Sequence, residues 1–210
     1  MTSMRRVGLA SLFLVASAFA TGRADAGYII TFAQVGSNVV ATGTGSITTS
    51  GLGQPSGTFN AFTGVLATTG FAFTGPAPAS TPQGVQYNAF FSGPSNFGGG
   101  SLFRPDSGTG GLGGLEVVSN VIYVSAGYIS GTPILNSTST FLNQTIASLG
   151  LRVGTYTEAY SATRGGATLD SIIIQVEAVS VPEPSSLALC GIAALSGVVA
   201  AGVRRKWVTG

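Results

Sequence analysis

Five carboxylates could carry acid–base chemistry in the middle of this 210-residue chain: Asp106, Glu116, Glu158, Asp170 and Glu177. Glycoside hydrolysis needs two such groups flanking one bond, one as acid and one as base or nucleophile. Positions in sequence fix no such pair, and charges scattered along strands ordinarily face solvent. Asp106-Ser107-Gly108 sets a carboxylate beside a Ser-Gly turn. Acid proteolysis would need a second carboxylate sharing one proton, and no second Asp-Ser/Thr-Gly exists. An ordinary turn is the simpler reading. Tyr156 and Tyr160, with Phe90, Phe91 or Phe97, are the residue types of a sugar-stacking platform, although aromatics on strands more often build core. No catalytic residue is assigned, and the chain is not expected to be an enzyme.

The exclusions are firmer. The sequence has no histidine, so a Ser-His-Asp triad and histidine metal sites are absent. Its one cysteine, Cys190, lies in an apolar run near the C-terminus, which leaves the middle without a disulfide, a thiol nucleophile or a thiolate metal site. Its one lysine, Lys206, stands in a basic cluster near the end, so neither a phosphate-binding Gly-Lys-Ser/Thr loop nor a Schiff-base lysine is available earlier. The glycine runs do not follow the Gly-x-Gly-x-x-Gly pattern between a strand and a helix, and no Asp-rich calcium loop occurs. No metal and no cofactor is expected. The whole chain is formally +2. Residues 27–180 differ: three arginines (Arg104, Arg152, Arg164) against five acids leave −2. That is not a nucleic-acid surface, which needs clustered Lys and Arg. Asn136-Ser137-Thr138 and Asn143-Gln144-Thr145 match glycosylation sequons but read as polar residues of strand edges.

The elements that would position these residues are β-strands. Tyr28 to Val35 is rich in β-branched and aromatic residues, Gly36-Ser37-Asn38 is a turn signal, and Val39 to Ile47 continues as a partner strand broken by Gly43 and Gly45. Phe59, Phe62, Phe71 and Phe73 suggest further short strands, and Pro76, Pro78 and Pro82 punctuate a loop. Glycine dominates Ser92 to Gly114, which predicts loops or tight edges. Leu115 to Val124 reads as one long buried strand, and Ser139 to Leu149 as a short helix or turn ending at Gly150. Arg152 to Tyr160 places Tyr156, Glu158 and Tyr160 on one face. Arg164-Gly165-Gly166 then turns the chain into an alternating strand, Thr168 to Ala178, with Ile172, Ile174, Val176 and Ala178 on one face and Ser171, Gln175 and Glu177 on the other, a pattern that Ile173 breaks. The expected fold is all-β: one antiparallel sandwich or jelly-roll-like domain over residues 27–180, resting on apolar burial.

The two ends carry different signals. Arg5-Arg6 precedes an uncharged run from Val7 to Ala20, 14 residues long, the pattern of a signal peptide and short for a membrane span. Small-residue cleavage sites occur at Ala18-Phe19-Ala20 and Ala24-Asp25-Ala26; cleavage between Ala26 and Gly27 is preferred, because the strand pattern starts at Tyr28. Residues 1–26 are thus read as a secretion signal. At the other end, Val181-Pro182-Glu183-Pro184-Ser185-Ser186 leads into Leu187–Val203, 17 residues without a charge, and Arg204-Arg205-Lys206 closes the run. That span is just long enough for one transmembrane helix, with its basic end held in the cytoplasm.

Residues 181–210, with that order of motif, span and basic end, resemble the PEP-CTERM sorting signal of Gram-negative and related bacteria. The layouts Ala147-Ser148-Leu149-Gly150-Leu151 with Gly154-Thr155-Tyr156-Thr157, and Phe32-Ala33-Gln34-Val35-Gly36-Ser37-Asn38-Val39-Val40, resemble stretches common in such exported proteins. The resemblance implies an exosortase, a membrane-embedded cysteine transpeptidase, as processing partner after the secretion translocon and a transient inner-membrane stage. It further implies delivery to the cell surface or extracellular matrix and a structural or interaction role linked to exopolysaccharide or biofilm. A non-catalytic carbohydrate-binding module, with extracellular polysaccharide as partner, is the alternative.

Overall fold

The computed structural model describes residues 27–60, 62–77 and 83–178. The secretion signal, Pro78, Pro82, the Val181–Pro184 motif, the apolar span and Arg204-Arg205-Lys206 lie outside those residues. Among the described residues no helix is long and apolar enough to cross a membrane.

The described chain is all-β. The opening hairpin forms as its sequence suggests: β1 (Tyr28–Val35) pairs with β2 (Asn38–Thr44) across a two-residue turn. Short strands follow: β3 (Phe59–Asn60), β4 (Gly64–Leu66), β5 (Phe71–Thr74), β6 (Gln83–Asn88), β7 (Phe90–Phe91) and β8 (Ser107–Thr109). The last five are β9 (Gly113–Glu116), β10 (Val121–Ser125), β11 (Ser137–Phe141), β12 (Gly154–Ser161) and β13 (Asp170–Val176). They build two sheets. One has the order β7-β12-β13-β1-β2-β11-β8, the other β3-β6-β10-β9-β5-β4.

Two expectations need correction. The six-stranded sheet is antiparallel throughout, but the seven-stranded sheet is mixed, because β1 and β13 run parallel with Ile30 opposite Ile174. Parallel neighbours need a long crossover, and here nearly the whole domain lies between the two strands. Leu115 to Val124 is not one strand. It folds into the β9–β10 hairpin through Val117-Val118-Ser119-Asn120, where Asn120 takes the left-handed conformation at φ 55°. The helix-or-turn alternative at Ser139 to Leu149 resolves as turns after the end of β11.

Inward side chains of both sheets share one core. Tyr28, Ile30, Phe32, Ile172, Ile174 and Tyr160 come from the seven-stranded sheet, and Val65, Ala72, Leu115, Ile122 and Val124 from the other. A polar cross-link runs through that core. Tyr28 Oη lies 2.8 Å from Thr74 Oγ1, Ser137 donates to the same Thr74 oxygen at 2.6 Å, and Thr74 donates to the Gly113 carbonyl at 3.4 Å. Satisfying each hydroxyl lets β1 and β11 be tied to β5 and β9 without leaving an orphaned polar group. Gly43 makes the crossing possible: a Cβ there would collide with the Tyr28 hydroxyl and with Thr74 Oγ1.

Candidate ligand-binding surfaces

The carboxylates take separate and mostly structural positions. Asp106 Oδ2 accepts a hydrogen bond from the Leu142 amide at 2.8 Å, which ties the start of β8 to the end of β11. Asp170 Oδ2 accepts from the Thr48 amide at 3.2 Å, while Tyr160 Oη donates to the Thr48 carbonyl at 3.0 Å. Together they clamp the loop after β2 onto β12 and β13. Glu177 is exposed beyond β13, and Glu116 lines a cleft on the other sheet. The structure brings only Glu158 and Asp170 near one another. Register makes them diagonal neighbours on the inner face, since Glu158 faces Ile172 and Tyr160 faces Asp170.

Glu158 is the unusual member. It is 1 % exposed, and its Oε2 has no hydrogen-bond partner among the described residues. The carboxyl lies against Gly93, where a Cβ would collide with it and with the Thr157 carbonyl. Burial raises its pKa to about 8, because desolvation penalises the anion. The neutral acid is therefore the form that fits. Sequence reading placed Glu158 correctly between Tyr156 and Tyr160 on one face, but alternation alone does not say that this face is the core.

The aromatics proposed as a platform do not form one. Tyr160 and Phe97 are core residues. Phe97 packs on Phe32 with ring centres 6.3 Å apart and against Tyr156 at 6.0 Å, and Tyr156 donates to the Arg152 carbonyl at 2.9 Å. Phe91 meets Tyr160 edge-on at 6.2 Å, and Phe90 is half-buried beside it. The larger aromatic group lies elsewhere, on the outer face of the six-stranded sheet. Phe62 stacks on Phe71 at 5.6 Å, Phe71 meets Phe73 at 4.6 Å, and Phe73 meets Tyr123 edge-on at 4.3 Å. Gly114 explains the last contact. It is the register partner of both Phe73 and Tyr123, so the two rings close over a position that has no side chain. The cleft beside them, about 450 Å³, is lined also by Leu66, Leu102, Gln86 and Glu116. Arg104 covers Phe62 with its guanidinium carbon 4.6 Å from the ring centre. Phe62 itself remains partly exposed at the rim of the cleft.

The outer face of the seven-stranded sheet is different in kind. Register aligns Thr155, Gln175, Thr31, Thr42, Thr138 and Thr109 in one row crossing β12, β13, β1, β2, β11 and β8. Thr31 donates to Gln175 Oε1 at 3.3 Å, and the Thr109 and Thr138 hydroxyls lie 2.9 Å apart. The flanking rows are Thr157, Ile173, Ile29 and Thr44 on one side, and Ala33, Val40, Thr140 and Ser107 on the other. None of these side chains is charged. At the β8 end the face opens into a trough of about 810 Å³ between Thr42, Thr44, Thr109, Thr138, Leu135 and Asn136. No sequence signal marks this row, because its members lie between positions 31 and 175 and only strand order aligns them.

Fold and surfaces together define an all-β protein of two sheets, with an aromatic stack on one outer face and a hydroxyl-rich face crossed by an uncharged row on the other. Comparison with protein-family models, with curated proteins and with solved structures finds no match to the chain. Among the described residues no group of three or more His, Cys, Asp or Glu side chains gathers as a metal ion would require.

Proposed function

We propose that this chain is an exported envelope protein of the PEP-CTERM kind, whose two-sheet, sandwich-like domain has a structural or interaction role at the cell surface or in the extracellular matrix. Residues 1–26 direct export through the translocon. Leu187–Val203 then holds the chain in the inner membrane, with Arg204-Arg205-Lys206 on the cytoplasmic side. An exosortase processes the tail near Pro182–Pro184 and frees the domain. The observation that carries this reading is the order of the three tail parts. Two prolines flank Glu183 and keep the motif extended, the form a protease-like enzyme binds, while the apolar span parks it at the outer face of the membrane. Replacing Pro182, Glu183 and Pro184 with alanine tests it. Export should persist, and the protein should stay in the inner-membrane fraction. Normal release of the alanine variant would refute processing at this motif.

A second reading, a non-catalytic carbohydrate-binding module, is favoured by the row of threonines on the seven-stranded sheet. A threonine hydroxyl both donates and accepts, and the adjoining methyl offers an apolar patch. Sugar rings carry the same two features.

A further inference from the structure

The geometry points to the threonine row and its trough as the binding face for an extended chain of a neutral polysaccharide. This inference rests on the carbohydrate-binding reading and adds its location and ligand class. Three observations carry it. The first is electrostatic. Neither the row nor the trough carries a charged side chain, and the exposed Glu177, two residues beyond Gln175 on the same face, adds a negative charge at one end, so an anionic polymer or nucleic acid would find no counter-charge there. An uncharged polyhydroxyl ligand loses nothing by that neutrality.

The second observation is repetition. Neighbouring strands lie about 4.8 Å apart, so the six positions from Thr155 to Thr109 extend over roughly 24 Å. A regular series of donors and acceptors along a line suits a repeating ligand better than a compact one. The third is shape. The trough continues the row past Thr42 and Thr138, is open to solvent, and has the exposed Leu135 and Asn136 on one wall. Leu135 gives an apolar surface for the face of a sugar ring, and the Asn136 amide gives paired donor and acceptor groups for its rim. The aromatic cleft of the other sheet lacks that neutrality, since Glu116 lines it and Arg104 lies over Phe62.

The test uses the full chain in mild detergent, run through native gels containing a mixed-linkage β-glucan, dextran or alginate, and mixed with microcrystalline cellulose. At least one neutral polysaccharide should retain the protein, and alginate should not. Thr42→Lys, in the middle of the row, should weaken that retention about tenfold or more with an unchanged circular dichroism spectrum. Asn136→Gly, which removes the amide and suits the left-handed backbone there (φ 53°), should weaken it independently, which guards against misfolding of the strand variant. Tyr123→Ala, in the aromatic cleft, should leave retention unchanged. If no neutral polysaccharide retains the parent protein, the carbohydrate reading and this site both fall. If one does, but only Tyr123→Ala reduces retention, the reading stands and this site is wrong. A dimer in light scattering that Thr42→Lys abolishes, without polysaccharide binding, would overturn the proposal in favour of self-association through this face.

Discussion

At the residue scale, Glu158 sets the pH behaviour of the domain. Its carboxyl has a folded-state pKa of about 8, against about 4.3 for an unperturbed glutamate. The folded state therefore holds a proton that the unfolded chain releases across that interval. The contribution of Glu158 to stability is full below the unfolded pKa, falls as pH rises from about 4.3 toward 8, and levels off above the folded pKa. Glu158→Gln keeps the shape and removes the charge. It should flatten that slope and stabilise the protein at pH 8 by up to about 5 kcal/mol, roughly 3.7 pH units at about 1.4 kcal/mol each. Urea unfolding at pH 5 and pH 8.5 reads the effect, and equal slopes for parent and variant would show that the carboxyl is not held neutral. The face carrying Tyr156, Glu158 and Tyr160 was legible from alternation. The burial of Glu158 was not, because a carboxylate on a strand ordinarily marks the solvent side.

At the element scale, the cross-link among Tyr28, Thr74 and Ser137 fixes how the two sheets meet. It depends on Gly43, which the sequence marks only as a break in β2. A methyl at Gly43 would occupy the space of the Tyr28 hydroxyl and force β1 away from β5. Gly43→Ala should lower stability by about 3 kcal/mol, a fall in Tm of about 10 °C. Thermal unfolding followed by circular dichroism checks it, and a Tm within two or three degrees of the parent would mean that the sheets can separate there at little cost. Local pattern served well where partners adjoin in sequence, as in the β1–β2 hairpin. It failed where the decisive feature was a single turn residue, as at Asn120, whose left-handed backbone divides the apolar run into β9 and β10. It was silent on the parallel pairing of Tyr28–Val35 with Asp170–Val176, which brings together residues about 140 positions apart. Period-2 alternation states which face is buried, but carries no information about the neighbouring strand.

At the scale of the whole molecule, residues 27–178 form a nearly neutral domain. Most of its large apolar and aromatic side chains go into one shared core and one aromatic stack. What remains outward on the larger sheet is threonine, glutamine and aliphatic side chain. Such a surface suits the proposed contact with uncharged matrix polymer, which the proposed sorting route would allow the domain to reach. The two readings meet in one sequence of events: export, retention by the apolar span, processing at the proline motif, and delivery of the β domain outside the cell. Mass spectrometry of the protein recovered from the cell surface or matrix tests that sequence most directly. The mature form should begin at Gly27 and end near Pro182–Pro184, with no peptide from Leu187–Val203. Intact peptides from that span in the surface form would make the tail a plain membrane anchor and contradict the sorting account.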